Sequence, residues 1–233
     1  MGDTEIFLQR IEAERTQLLD QWRRAFSLES CWLSSPPPQV ARVLAPETSD
    51  RGMAIRKFHD KLGFCAKGSL RRGGLCAGAI FRTRAFIDQP QDDRSGARLT
   101  QTVHIEHTVP VRVLTREFAT FADVNEPADV ALAWLFKHSV ATAMKKGQDH
   151  AYLSSVTRST GAFDQGPDNG KPFRRYDLLF ADGESVWDVW NRKEIDPDEF
   201  CFDTHIDTVL AILDEVGADP NFRHRIKTGA SQL

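Results

Sequence analysis

The chain has 233 residues, 41% hydrophobic and 27% charged, with a formal net charge of −3, the make-up of an ordinary globular protein with one large core. No run of about 18 apolar residues occurs, which argues against a membrane-spanning helix, and the acidic, amphipathic start MGDTEIFLQRIEAERTQLL does not resemble a secretory leader. Four scattered cysteines, Cys31, Cys65, Cys76 and Cys201, form no C-x-x-C pair, which speaks against a structural zinc site and for reduced thiols in a cytoplasmic protein.

The small net charge hides an uneven distribution. Residues 51–84 carry nine Lys or Arg and one Asp, whereas residues 182–219 carry twelve Asp or Glu and two Lys or Arg. The basic segment can meet phosphates, or the two segments can face each other inside the fold.

In chain order, Phe7, Leu8, Ile11, Leu18, Leu19, Trp22 and Phe26 recur at helical spacing over 4–27, with Asp3 or Thr4 able to cap the start. This amphipathic helix covers a sheet or supplies a dimer interface. SSPPPQ (34–39) breaks regular structure, and Thr48-Ser49-Asp50 can cap a second helix reaching about Leu62 and stopped by Gly63. CAKGSLRRGGLC (65–76) is a basic, glycine-rich loop without the phosphate-loop pattern. AGAIFRTRAFI (77–87) reads as a strand and QPQDDRSGAR (89–98) as a polar loop. LTQTVHIEHTVPVRVL (99–114) is β-branched and apolar, a second strand ended by Pro110. ADVALAWLFKHSVATAMKK (128–146) predicts a long helix stopped by Gly147, with His138 as a core or groove histidine. AYLSSVT (151–157) predicts a short strand and GAFDQGPDNGKP (161–172) a loop. The two β-rich runs of YDLLFA-DG-ESVWDVW (176–190) predict a hairpin turning at Asp182-Gly183. Residues 204–216 predict a last helix, capped by Asp203 and stopped by Gly217. Hairpins and helices without βαβ alternation predict an α+β fold with a mixed or antiparallel sheet and flanking helices. Residues 1–98 read as a helical and basic region, 99–181 as a core and 182–233 as a C-terminal hairpin strand and helix, all in one compact unit.

The segment 99–114 places His104, Glu106 and His107 at the end of a strand. Three readings stand. His104 and Glu106, sharing a face by strand alternation, can be two ligands of a metal held on a sheet. They can form a carboxylate–imidazole pair that ties the strand end to a loop. Or the alternation can break before Pro110, so that Glu106 and His107 reach one site.

The last reading resembles the His-Me finger, or HNH, nuclease superfamily, whose first strand ends in an acidic residue or histidine, then His, two residues and Pro; IEHTVP (105–110) fits that pattern. Restriction-type members are similar also to EHTVPVRVL, VTRSTG (156–161) and PFRRYD (172–177), so the likeness covers about residues 100–180. The resemblance implies a ββα-metal core, His107 as general base, Glu106 as catalytic carboxylate and metal ligand, and Mg2+ or Mn2+ as cofactor. Its chemistry needs these types: a neutral imidazole to activate water near pH 7 and a divalent cation to offset charge on the scissile phosphate. A helix should supply the last ligand, but no Asn or His follows VT in the family's place, which leaves His150, Asp164 and Asn169 as candidates. His104, Lys67, Arg71, Arg72, Arg158, Arg174 and Arg175 are candidate substrate contacts, of the kind that positions a duplex without reading its bases. The implied partner is DNA, with RNA the other polymer open to this chemistry, and a symmetric dimer would match a palindromic site. The implied role is restriction or defence. The rival expectation is a non-catalytic nucleic-acid or protein binding module on a decayed nuclease core.

Overall fold

The structure, a computed structural model, describes residues 2–27, 51–64, 76–90, 94, 99–121, 126–153 and 160–233. The fold is α+β, a mixed five-stranded sheet with helices around it. The first helix, α1 (Asp3–Ser27), buries Phe7, Ile11, Leu18, Leu19, Trp22 and Phe26 within its own chain. Only Leu8 of the expected stripe is exposed. The stripe therefore serves this chain's core, and nothing in the structure supports the dimer interface considered for it. The Trp22 indole N–H donates to Gly78 O at 3.0 Å, fastening α1 to the segment before the sheet.

Helix α2 (Arg51–Lys61) turns Ala54, Ile55, Phe58 and His59 inward. It stops where expected, at Gly63, whose φ of 77° suits a residue without Cβ. The strand expected over 77–87 is only β1 (Phe81–Thr83). Thr83 then accepts the Phe86 N–H and caps the short helix α3 (Arg84–Ile87), a side-chain cap that overrides the β-rich reading.

Two further expectations fail in instructive ways. Residues 99–114 are not one strand. They form α4 (Leu99–Thr102), the strand β2 (Val103–Glu106) and the start of α5 (Val111–Phe121). Pro110 does end the extended run, but it also opens a helix, accepting the Leu114 N–H through its carbonyl at 3.0 Å. Likewise the helix expected over 128–146 ends at His138. It is α6 (Ala128–His138), and the remainder forms β3 (Thr142–Lys145), the strand between β1 and β2. A strand buried inside a sheet shows no alternation, and TAMK merges with the apolar helix before it.

Gly147, at φ 97°, turns β3 into α7 (Gln148–Leu153) where a strand was expected from 151; residues 154–157 of that expectation lie outside the described part. The hairpin expected at 176–190 is also corrected. A 3-10 turn (Pro172–Tyr176) and α8 (Asp177–Ala181) precede the Asp182-Gly183 turn, and only β4 (Val186–Asp188) is extended. Its true hairpin partner is β5 (Lys193–Glu194).

Helix α9 (Phe202–Glu215) starts at Cys201, not at Asp203, and Gly217 ends it as expected. It is not the last helix. Asp219 accepts the Asn221 and Phe222 N–H groups and caps α10 (Pro220–Ala230), with proline in its first turn.

The strand order is β2-β3-β1-β4-β5. β1 and β3 run parallel, and the other neighbours are antiparallel. One buried cluster runs from Phe7 through Phe81 and Leu135 to Ile226. No helix among the described residues is long and apolar enough to cross a membrane. β2 is thus an edge strand, followed by a turn and two helices, then paired with β3, which leads directly into α7.

Candidate functional site

β2 alternates between buried Val103 and Ile105 and half-buried His104 and Glu106. Glu106 Oε1 accepts a hydrogen bond from Arg175 at 2.6 Å, and the guanidinium bearing that bond is wholly enclosed in the 3-10 turn after residue 171. The other oxygen, Oε2, lies 3.5 Å from His104 Nε2. The same imidazole nitrogen is 3.7 Å from Asp149 Oδ2, in the first turn of α7. His104 therefore stands between two carboxylates, one from the strand and one from the helix. Asp149 Oδ1 is buried with no hydrogen-bond partner, an acceptor that the fold does not use.

His107 lies just past the strand end, in the turn that Pro110 closes. Its ring stacks on that of His59 from α2, with centroids 4.8 Å apart and planes 30° apart. Burial is the main cause that lowers its pKa to about 4; Glu106 pulls the other way, and Arg56, His104 and Arg175 push it down further. The ring is thus neutral at physiological pH. His59 is driven well below the ordinary histidine value, first by burial and then by His107. Its Nε2 is 2.9 Å from Ser139 Oγ. Beneath the turn, Thr108 Oγ1 bonds to Thr142 Oγ1 at 2.8 Å and to the Tyr176 hydroxyl at 3.0 Å, tying β2, β3 and the 3-10 turn together in the interior.

The expected residues are divided by this geometry. Glu106, His104 and Arg175 meet directly. His150 follows Asp149 and sits 3.7 Å from it, but its side chain is 84% exposed, so it points to solvent. Asp164 and Asn169 lie exposed in the turns 164–170, and no hydrogen bond or ion pair joins either to Glu106. Arg174 pairs with Asp198 and Asp177 instead of joining Arg175. Lys67, Arg71, Arg72 and Arg158 fall outside the described residues. Of the basic segment, Arg82 is spent internally on Glu14, and Arg84 sits by Asp88 at 3.4 Å. His138 is a core histidine as expected, its Nδ1 bonded to Trp134 O at 2.8 Å.

Two residues of the cluster were missed. Asp149 precedes His150 directly, and the misplaced second strand hid its position at a helix start. His59 carried a readable signal: it falls on the apolar stripe Ile55, Phe58, Leu62 of α2, where a polar residue needs a reason.

Among the described residues, no group of three or more His, Cys, Asp and Glu is placed to hold a metal ion. Two carboxylates suffice in kind for Mg2+, which keeps several of its waters; Glu106 and Asp149 supply that donor type. No family model, curated protein or solved structure matches the chain.

Proposed function

We propose that the protein is a metal-dependent endonuclease that hydrolyses phosphodiester bonds of DNA, in a restriction or defence role. One observation carries the reading. An antiparallel strand pair, β2 and β3, is followed by helix α7, and a carboxylate from the strand and one from the helix flank His104 beside a neutral His107. This is the strand, strand, helix order that the motif IEHTVP implies, with two helices inserted between the strands.

In this reading His107 accepts the proton of the attacking water, its ring being unprotonated above about pH 4. Glu106 and Asp149 would hold the divalent cation, Mg2+ or Mn2+, and Asp149 would take the place for which the sequence offered His150, Asp164 and Asn169. When bound, that ion offsets the charge of the scissile phosphate and stabilises the leaving oxygen. Arg175 orients Glu106 by holding Oε1, which leaves Oε2 on the His104 side.

The test is incubation of the purified protein with supercoiled plasmid and Mg2+ or Mn2+, beside His107→Ala. The expected result is nicking by the parent and a loss of about 10²–10⁴-fold in rate in the variant. A second reading, a binding module without catalysis, is favoured by the Arg175–Glu106 pair, which already neutralises the carboxylate, and by a pKa near 4, low for a general base. Equal DNA binding by parent and variant, with cleavage by neither, decides for that second reading.

A further inference from the structure

We propose that His59 is the positioning residue for His107: a buried imidazole plate, pinned by Ser139, that sets the plane of the His107 ring. The inference rests on the reading of His107 as the general base.

Packing alone does not call for a histidine at this position. His59 is 1% exposed and lies on the apolar face of α2. A buried polar group left without partners is destabilising, so phenylalanine or leucine would serve the core better. His59 satisfies only one nitrogen, Nε2, through Ser139 Oγ, while its Nδ1 is buried without a partner.

What the imidazole does provide is a fixed flat surface. Ser139 is the C-terminal cap of α6, three residues before β3. The bond to it ties the plate to the strand that pairs with β2, so plate and base share one frame. Phe64 and Phe58 back the ring of His59 at centroid distances of 5.4 Å and 6.0 Å, leaving His107 stacked alongside at 4.8 Å.

The Nδ1 of His107 is itself buried without a hydrogen-bond partner. No hydrogen bond through that nitrogen orients the ring, in contrast with the usual histidine base whose second nitrogen is held by a carboxylate or carbonyl. The stack supplies the constraint instead.

The test compares His59→Phe, which keeps a plate but loses the Ser139 bond, with His59→Ala, which loses both. The readouts are the His107 ring C–H resonances at one fixed pH and Mg2+-dependent plasmid cleavage. We expect parent and His59→Phe each to show one sharp His107 signal. In His59→Ala that signal should broaden or move to the random-coil position. Cleavage should fall about 10–100-fold in kcat in His59→Ala, with KM little changed, and His59→Phe should recover most of it. A sharp, ordered His107 signal in His59→Ala overturns the proposal whatever the cleavage rate. If the parent never cleaves DNA and the signal still collapses in His59→Ala, positioning stands and the nuclease reading falls. Should His59→Ala fail to fold, His59→Leu decides, since it fills the space without a flat ring: a sharp, ordered His107 signal there overturns the proposal.

Discussion

One cluster of charge lies at the sheet's central strand and another at its edge strand, and they are built differently. Under α1, Glu14 accepts Arg82 and, at 2.6 Å, Arg94, and the guanidinium of Arg94 lies 4.6 Å over the ring of Phe86. Arg82 and Glu14 are sealed from water. At the edge strand, Glu106, His104 and Asp149 are half-buried, with imidazole–carboxylate separations of 3.5 Å and 3.7 Å and an acceptor oxygen on Asp149 left unused. Tight, closed charge serves the fold. Looser charge with spare acceptors, next to a neutral histidine, is what a site requires.

That contrast can be broken by experiment. The largest expected effect is Glu14→Ala, which strands Arg82 in the interior and should cost about 3–5 kcal/mol in urea unfolding. Glu106→Ala also uncovers an enclosed guanidinium, but Glu106 is 16% exposed against 1% for Glu14, so water can reach the gap and the cost should be clearly less; equal losses would show that both clusters are structural.

Acid gives the next effect. His107, His138 and His205 have pKa values lowered by burial to about 4, about 3 and about 4. Below the ordinary histidine value of about 6.5 the unfolded chain therefore binds more protons than the folded one. Their contribution is complete above pH 6.5 and is lost as pH falls toward 4. Asp60, raised to about 6 by burial, works in the opposite direction over the lower part of that window. Replacing His205 by Gln should flatten the fall between pH 6.5 and 4 by on the order of 1–3 kcal/mol, measured by unfolding at each pH.

A smaller shift is expected for Asp149→Asn. The Mg2+ concentration giving half-maximal cleavage should rise about tenfold, equivalent to about 1.4 kcal/mol, with the melting temperature little changed. No change in the Mg2+ requirement would remove Asp149 from the site. The smallest effect belongs to Arg174→Ala, whose ion pairs with Asp177 and Asp198 are partly exposed. It should alter stability by no more than about 1 kcal/mol, far less than the loss of its buried neighbour in Arg175→Ala.

The fold class was legible because amphipathic helices announce themselves: α1, α2 and α9 follow their apolar spacing and stop at Gly63 and Gly217 where glycine permits a left-handed turn. The strands were not legible, for a physical reason. They are two to four residues long, and two of them abut helices without a break in apolar character, so β3 disappeared into α6 and β2 spread over its neighbours. At the candidate site, the strand end that carries Glu106 was legible as a strand end before Pro110, with His107 just past it. Asp149 was not legible, because it depends on where β3 ends, and His59 reaches the cluster only through the packing of α2 on α5.

The sheet's central strand has a consequence for how the chain acquires its shape. β1 pairs on one side with residues 142–143 and on the other with 186–188, so neither neighbour is supplied by a local hairpin. Both pairings close loops of roughly 60 to 100 residues, and chain entropy opposes them until many contacts form together. Folding should therefore be slow beside a helical bundle of equal length, and a nascent chain that has not yet reached residue 188 cannot assemble the sheet's middle. At that point α1 still lacks its later partner α9, and the apolar face it would bury there is where premature association would begin.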